Sequence, residues 1–310
     1  MKRVVLKMPK QVLIDLSNLK NTNSGLCNVA HAFAEGFSQL QVADLRFNFL
    51  VPPTFIGKFG DAVDYTPTNY WQKRLPVLLP KVDLWHSTCQ AYKYMRFARN
   101  TRQILTIHDL NFLYEKPQHK IKRYLHRMQK EIDKASVVVA ISQFVADDIT
   151  RHLKIKDTAL KVIYNAVDRL ENREHKLPGF IANTGRPFFF TLGQIRAKKN
   201  FHVLLDVMKS FPDMDLYICG GEAGRAYGQS IAQRIVAENI GNVFLTGPIS
   251  EPEKIWMYKH CDAFLFPSPP GILPCRASAY SDTCVHRSDN GQRQKYPFPH
   301  WAEVCGIHRA

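Results

Sequence analysis

The sequence predicts an α/β protein built of two doubly wound parallel-sheet domains, and three observations carry that expectation. Short continuous runs of Val, Ile, Leu and Phe recur along the chain, and stretches of helical periodicity separate the later ones. That alternation is the signature of a parallel sheet whose crossovers are helices. The pattern is interrupted once, at residues 171–187, where periodicity disappears and Pro178, Gly179, Gly185 and Pro187 punctuate a polar stretch. It then restarts, and 310 residues with 45% hydrophobic content are enough for two cores.

The first domain, expected over residues 1–170, opens with an apolar run at 12–16 that contains Asp15. A polar loop and Gly25 follow, then helical periodicity over 29–40, which is the strand, glycine-bearing loop and helix of a doubly wound domain. Further strands are expected at 45–51, 82–86, 104–107, 137–141 and 162–164. Ser142 stands between the strand at 137–141 and a helical stretch at 144–153, where its hydroxyl can accept a free backbone N–H as an N-cap. The densest basic block, 116–134, sets Lys120, Lys122, Arg123, Arg127, Lys130 and Lys134 around Ile121, Tyr124, Leu125, Met128 and Ile132 at helical spacing. Such a helix either packs one face and wets the other, or offers Lys120, Arg123 and Arg127 to an anionic membrane surface.

The second domain, expected over 188–268, takes strands at 188–192, 216–219, 243–245 and 263–266 and helices at 201–210, 229–238 and 253–260. Its organising stretch is 192–200, Leu-Gly-Gln-Ile-Arg-Ala-Lys-Lys-Asn, between the first strand and the first helix. Gly193 permits a tight turn and close approach, while Arg196, Lys198 and Lys199 gather cations where free N–H groups of the new helix would point outward. That is chemistry for an anion, most naturally a diphosphate; the plainer alternative is a solvated basic loop. Gly220-Gly221 turns the chain after the next strand, and ligands of such sheets sit outside the carboxyl ends of the strands. Asp213-Met214-Asp215 is expected to be a turn before the strand at 216–219.

The net charge of +15 suits polyanions: nucleotide diphosphates, nucleic acid or an anionic leaflet. No run approaches the roughly 20 apolar residues of a membrane span, and residues 1–10 lack the apolar centre of a signal peptide, so a cytoplasmic location is expected. Seven cysteines at irregular spacing form no paired framework, and Cys219 and Cys261 lie in or beside apolar stretches, which fits a reducing compartment. Cys275, Cys284, Cys305, His286, His300 and His308 share no paired close spacing, so no metal is expected.

Six motifs in one order carry a resemblance. They are Ile107-His108-Asp109, Ala140-Ile141-Ser142-Gln143-Phe144, Ile163-Tyr164-Asn165-Ala166-Val167-Asp168, the loop at 193–200, Gly247-Pro248-Ile249-Ser250 and Phe266-Pro267-Ser268. Over residues 10–268 the chain resembles glycosyltransferase family 4. The resemblance implies the GT-B fold, two doubly wound domains facing a cleft, and sugar transfer from a nucleotide-sugar donor with retention at the anomeric carbon, without a metal or other cofactor. It implies that Gly193, Arg196 and Lys199, with Gly25, line the donor diphosphate, and that His108 contacts the transferred sugar. Asn200, Gly220 and Asp109 are further cleft candidates. The implied acceptor is a glycan or lipid-linked saccharide of the cell envelope, reached from the inner face of the cytoplasmic membrane.

Several positions depart from the family pattern. Gln194 stands where many members have an arginine, and Ala166 replaces the glycine of an Asn-Gly-Val-Asp turn. After Ser268 the family continues with two glutamates eight positions apart that grip donor sugar and ribose, whereas Gly271 and Ala279 occupy roughly those places here. Residues 269–310 show neither strand alternation nor helical period. A reading frame shifted near Ser268 would account for that change, leaving the second domain incomplete and the tail poorly ordered. Two rival readings stand beside the enzyme: a truncated, catalytically inactive remnant, and a basic nucleic-acid-binding protein. The second is supported by charge alone, with no recognition-helix or aromatic-basic pattern.

Overall fold

A computed structural model describes residues 9–20, 24–90, 94, 101–156, 158–165, 173–181, 185–222, 225–267 and two short strands at 285–287 and 293–295. The chain divides into two compact units after Ala166.

The first unit is a seven-stranded sheet in the order β3-β2-β1-β4-β5-β6-β7. Its strands are β1 (Lys10–Asp15), β2 (Leu45–Val51), β3 (Asp64–Pro67), β4 (Leu84–Ser87), β5 (Arg102–Ile107), β6 (Val137–Ala140) and β7 (Ala159–Val162), all paired in parallel. Its helices are α1 (Gly25–Ser38), α2 (Phe112–Glu115), α3 (Gln118–Ile132) and α4 (Gln143–His152). Alternate residues of β1 point to opposite faces, and both faces are covered. Val12 and Ile14 pack with Phe47, Phe49 and the small Cys27, Ala30 and Ala34 of α1, while Leu13 packs with Leu50, Leu79 and Trp85.

Local chemistry moves several boundaries from those expected. The first helix starts at Gly25 rather than 29, because the Ser24 hydroxyl accepts the Cys27 N–H at 3.2 Å and caps it there. Ser142 caps α4 as expected, accepting the Val145 N–H at 3.3 Å. Strand β3 has no counterpart in the sequence reading, since Asp and Pro hide a four-residue edge strand that Arg46 and Asp64 tie by a bidentate ion pair. The last strand ends at Val162 rather than running over 162–164, and Ile163 and Tyr164 are exposed. Helix α3 buries Ile121, Met128 and Ile132 at the expected spacing, but Tyr124 stays exposed and stacks on Phe112.

Helix α3 also buries a residue its pattern did not single out. Glu131 lies on the packed face with Arg127 at 3.4 Å, and one carboxylate oxygen is buried without a partner. Burial pushes its carboxyl up to about 7 against the opposing pull of Arg127 and Lys134.

The second unit is a four-stranded parallel sheet in the order β10-β9-β8-β11, with β8 (Phe188–Leu192), β9 (Asp215–Cys219), β10 (Val243–Gly247) and β11 (Ala263–Phe264). Helices α5 (His202–Met208), α6 (Arg225–Ala237) and α7 (Glu251–His260) complete it. Phe189, Leu216 and Ile218 pack on one face with Leu204, Leu205, Met208 and Ile231; Phe188, Phe190 and Tyr217 pack on the other with Met257 and Cys261. Ser250 and Glu253 form a capping box at the start of α7. Asp215 is not part of a turn: it opens β9, is buried, and pairs with Arg186 at 2.7 Å. Burial also raises the Cys219 and Cys261 thiols to about 12, which keeps them unreactive.

Within 269–310 the described residues are β12 (Val285–Arg287) and β13 (Arg293–Lys295), an antiparallel pair where no strand was expected. The rest of that segment, with Gly271, Ala279, Cys275, Cys284, Cys305, His300 and His308, lies outside the described residues.

One close backbone approach shapes the sheet of the second unit. Gly193 donates its N–H to the Cys219 carbonyl at 3.0 Å, and Gly220 donates to the Gly247 carbonyl at 2.8 Å. Gly220 has φ +145, and a Cβ there would lie 1.9 Å from the Gly193 carbonyl oxygen. Only glycine satisfies both conditions.

Two outcomes follow for stability. Gly220→Ala should destabilise by about 3 kcal/mol or more, read as a lower denaturation midpoint, because backbone rather than a flexible side chain must yield. For Glu131 the folded value lies above the ordinary 4.5, so its favourable contribution is complete below that value and is lost as pH rises through about 7. Glu131→Gln should therefore stabilise by about 1–2 kcal/mol near pH 8, and the gain should vanish near pH 4; equal gains at both would refute the assignment.

Candidate active site

In an open parallel sheet the loops diverge at the point where strand order reverses, and ligands bind outside the carboxyl ends there. In the first unit that point lies between β1 and β4, since β2 and β3 extend to one side and β5 to β7 to the other. Asp15 ends β1, Thr88 follows β4 and His108 follows β5. The Thr88 hydroxyl donates to the Asp15 carbonyl at 2.5 Å, and His108 Nε2 donates to the Thr88 carbonyl at 2.8 Å. His108 is thereby held as the tautomer with Nε2–H, whose neutral ring carries its lone pair on Nδ1. It is buried, and burial holds its pKa below the usual value of 6.5 although Thr88 and Asp109 pull the other way.

Gln90 fixes the same segment by its backbone. Its Oε1 accepts the His108 N–H at 3.0 Å and its Nε2 donates to the Asp109 carbonyl at 3.1 Å. The Asp109 carboxylate accepts the Asn111 N–H at 3.1 Å and turns the chain toward α2, so its visible work is local. Asp15 is buried, and its carboxyl is pushed up to about 6 by desolvation even though the Ser17 N–H donates to it at 3.0 Å. His86, one strand inward, bonds Thr106 at 2.9 Å, and burial lowers it to about 4; it is a core histidine. Gly25 is the first residue of α1, and nothing in the chain's own packing would meet a Cβ there.

In the second unit strand order reverses between β8 and β11. The loop after β8 forms a single 3-10 turn at Ala197–Lys199, and Asn200 reverses the chain in the left-handed region with φ 57. Asn is among the few residues that adopt this without large strain, which gives Asn200 a backbone reason for its place. The Lys199 stem runs past Gly193, its Cε 3.4 Å from where a Cβ would sit, and its ammonium lies 4.8 Å from the ring centroid of Phe266 beyond β11. The lysine thus passes close over Gly193 and reaches across the reversal point. Arg196 is exposed beside it, and Ile195 bonds the Gly221 carbonyl at 3.0 Å.

The N–H groups of α5 are not part of this cluster. His202 donates to the Tyr227 hydroxyl at 3.2 Å, and Val203 and Leu204 donate to the carbonyls of Asn200 and Phe201. The expected helix-end contribution is thus corrected: these donors are satisfied internally, and the basic side chains supply the positive field.

Gly193, Lys199 and Gly220 come together at one sheet end, with Arg196 and Asn200 on the same loop, while His108, Asp109 and Gly25 belong to the first unit. Asp15, Thr88 and Gln90 were not foreseen, because a lone polar residue after an apolar run carries no spacing signal. Phe266 stood in the sequence only as a motif marker; its ring under Lys199 is a product of folding. Among the described residues no three His, Cys, Asp or Glu gather as metal ligands, and no described helix is long and apolar enough to cross a membrane.

Comparison with known proteins places this geometry. Residues 43–169 match the family Glycosyltransferase Family 4, and residues 172–270 match Glycosyl transferases group 1. The chain is 23% identical over 301 residues, 90% of this chain and 82% of the other, to the O-antigen chain mannosyltransferase RfbU of Salmonella typhimurium. Among solved structures it resembles HepE of Anabaena, crystallised with UDP and glucose, with a TM-score of 0.59 and 15% identity over 85% of this chain and 75% of that one. Sucrose-phosphate synthase from Thermosynechococcus elongatus gives a TM-score of 0.57 and 13% identity over 84% and 75%. Two doubly wound parallel sheets, each with its polar and basic residues at the strand-order reversal, and glycosyltransferase models matching in both units lead to one assignment: the chain is a glycosyltransferase with the GT-B fold.

Proposed function

We propose that this glycosyltransferase moves a hexosyl group from a nucleoside-diphosphate donor to a glycan or lipid-linked acceptor with retention, in synthesis of a cell-envelope polysaccharide. The observation that carries the reading is the Lys199 ammonium at the reversal point of the second sheet, beside the backbone opened by Gly193. A diphosphate seated there gains a cation from Lys199 and a second from Arg196. As the anomeric C–O bond breaks, its electron pair goes to the terminal phosphate oxygen, and these cations stabilise the charge that grows there. Asn200 and Gly220 shape the same loop and turn. Further support comes from the UDP-bound state of HepE and from the mannosyl transfer named for RfbU.

On the first unit, His108 contacts the transferred sugar as a neutral ring, and Gly25 gives the donor phosphates open backbone at the start of α1. Asp109 holds the turn that follows His108. No metal or other cofactor is required by this scheme. Attachment to the inner face of the cytoplasmic membrane uses the exposed cations Lys120, Arg123 and Arg127 of α3.

Three measurements test the reading. Lys199→Ala should lower kcat by about 100- to 1000-fold in donor turnover, with Lys199→Arg intermediate; a change within about twofold would remove Lys199 from the site. Nucleoside-diphosphate titration by calorimetry should show binding that Lys199→Ala weakens, and binding without turnover in the wild type would instead establish the inactive remnant. For His108, whose folded pKa is depressed, the neutral ring persists above the usual 6.5 and is lost as pH falls through its lower folded value. The acid limb of kcat/KM should therefore lie below pH 6.5 and be absent in His108→Ala, and product NMR should show the donor's anomeric configuration retained.

A further inference from the structure

The segment after β3 makes two 3-10 turns, Trp71–Lys73 and Pro76–Leu78, and turns its largest apolar side chains outward. Tyr70 is 56% exposed, Trp71 60%, Leu75 49%, Val77 66% and Leu78 51%. Single exposed apolar residues are ordinary on a soluble surface, but five within nine residues form a patch.

The exposure is imposed by anchors rather than by looseness. Gln72 is buried at 4% exposure: its Oε1 accepts the Asn69 N–H at 2.8 Å, its own N–H donates to Asn69 Oδ1 at 3.0 Å, and its Nε2 donates to the Pro67 carbonyl at 3.0 Å. Leu79 is sealed in the core with Leu13, Leu50, Trp85 and Tyr94. Between these two fixed points the chain has no freedom to tuck Leu75, Val77 and Leu78 inward, and Trp71, next to the buried Gln72, faces solvent.

Charge selects the occupant. Lys73 and Arg74 sit inside the patch, with Lys73 over the Tyr94 ring at 5.2 Å and the Arg74 guanidinium over the Tyr70 ring at 5.0 Å, and Lys81 follows. No acidic residue occurs between Asp64 and Asp83. Protein interfaces are depleted of lysine, whereas a lipid headgroup layer places phosphates directly above hydrocarbon. Aromatic rings with a polar handle, aliphatic side chains and interleaved cations match that boundary.

We propose that residues 70–78 are a membrane-docking wedge: Trp71, Leu75, Val77 and Leu78 enter the headgroup and acyl boundary of an anionic bilayer while Lys73, Arg74 and Lys81 pair with lipid phosphates. The inference rests on the membrane-proximal reading of this transferase and adds an inserting element to the purely coulombic contact of α3. The wedge holds the protein where a lipid-linked acceptor is found, and its hydrophobic part resists salt that screens the α3 contribution.

The test uses the full chain and vesicles of phosphatidylcholine and phosphatidylglycerol in equal parts. The variant Trp71→Ser/Val77→Ser/Leu78→Ser changes only exposed side chains, and far-UV circular dichroism checks its fold. It should bind vesicles on the order of 100-fold more weakly than wild type, and what remains should disappear with added salt. Brominated lipid should quench the emission of Trp71 in the wild type, and Trp71→Phe should lose that quenching while still sedimenting with the vesicles. Lys120→Glu/Arg123→Glu/Arg127→Glu should lose affinity at low salt yet keep the Trp71 quenching. Equal binding by the triple serine variant and wild type, or no quenching of Trp71 on bound vesicles, overturns the wedge and leaves the α3 contact standing. Absence of vesicle binding by the wild type overturns both. A wild-type dimer in sedimentation velocity that the serine variant dissolves would make the patch a protein interface and overturn the wedge equally.

Discussion

All strand pairs of the two large sheets are parallel, and the rest of the structure depends on that constraint. Parallel neighbours cannot be joined by tight hairpins, so the chain crosses over each face and both faces become buried. Side chains with chemistry are thereby driven to the loops at the strand ends. Where strand order reverses, adjacent loops leave in opposite directions and open a space. His108 with Thr88 and Asp15 marks that place in one unit, and Lys199 with Gly193 and Phe266 marks it in the other.

The two places have opposite electrostatic character. The first is a dry, nearly neutral network in which burial lifts the Asp15 carboxyl and depresses both His86 and His108, so each group is pushed toward its uncharged form. The second is basic: the Lys199 ammonium is partly buried and lies against an aromatic face, with Arg196 exposed on the same loop. Glycine shapes the second: Gly220 admits the Gly193 carbonyl at a distance that no Cβ would allow.

Much was legible in the order of residues. The continuous apolar strands, the Ser142 cap, the spacing of Ile121, Met128 and Ile132 on α3, and the basic loop after Leu192 all follow from local rules of period and capping. The motif series from His108 to Phe266 pointed to the family that the comparisons found. Other features left no local trace. Strand β3 holds Asp and Pro and exists because β2 offers it a partner; Asp215 belongs to a strand because its N–H donates to the Pro187 carbonyl in register with β8. The donors of α5 are taken by Tyr227 and neighbouring carbonyls, a fact that no reading of the loop alone could contain.

The sequence by itself determined the class of fold, the resemblance to glycosyltransferases and the place of the basic loop after Leu192, because period, composition and motif order are properties of neighbours along the chain. Only the tertiary structure decided which groups meet. Gln90 clasping the His108 backbone, the ring of Phe266 under Lys199, the buried carboxyls of Asp15 and Glu131, and the outward set of Leu75 and Val77 between the anchors Gln72 and Leu79 all arise from residues brought together by sheet order or by the shape of the core. Burial and close approach are pairwise quantities in space, and the physical reason they escape a linear reading is that their partners are set by packing rather than by sequence distance.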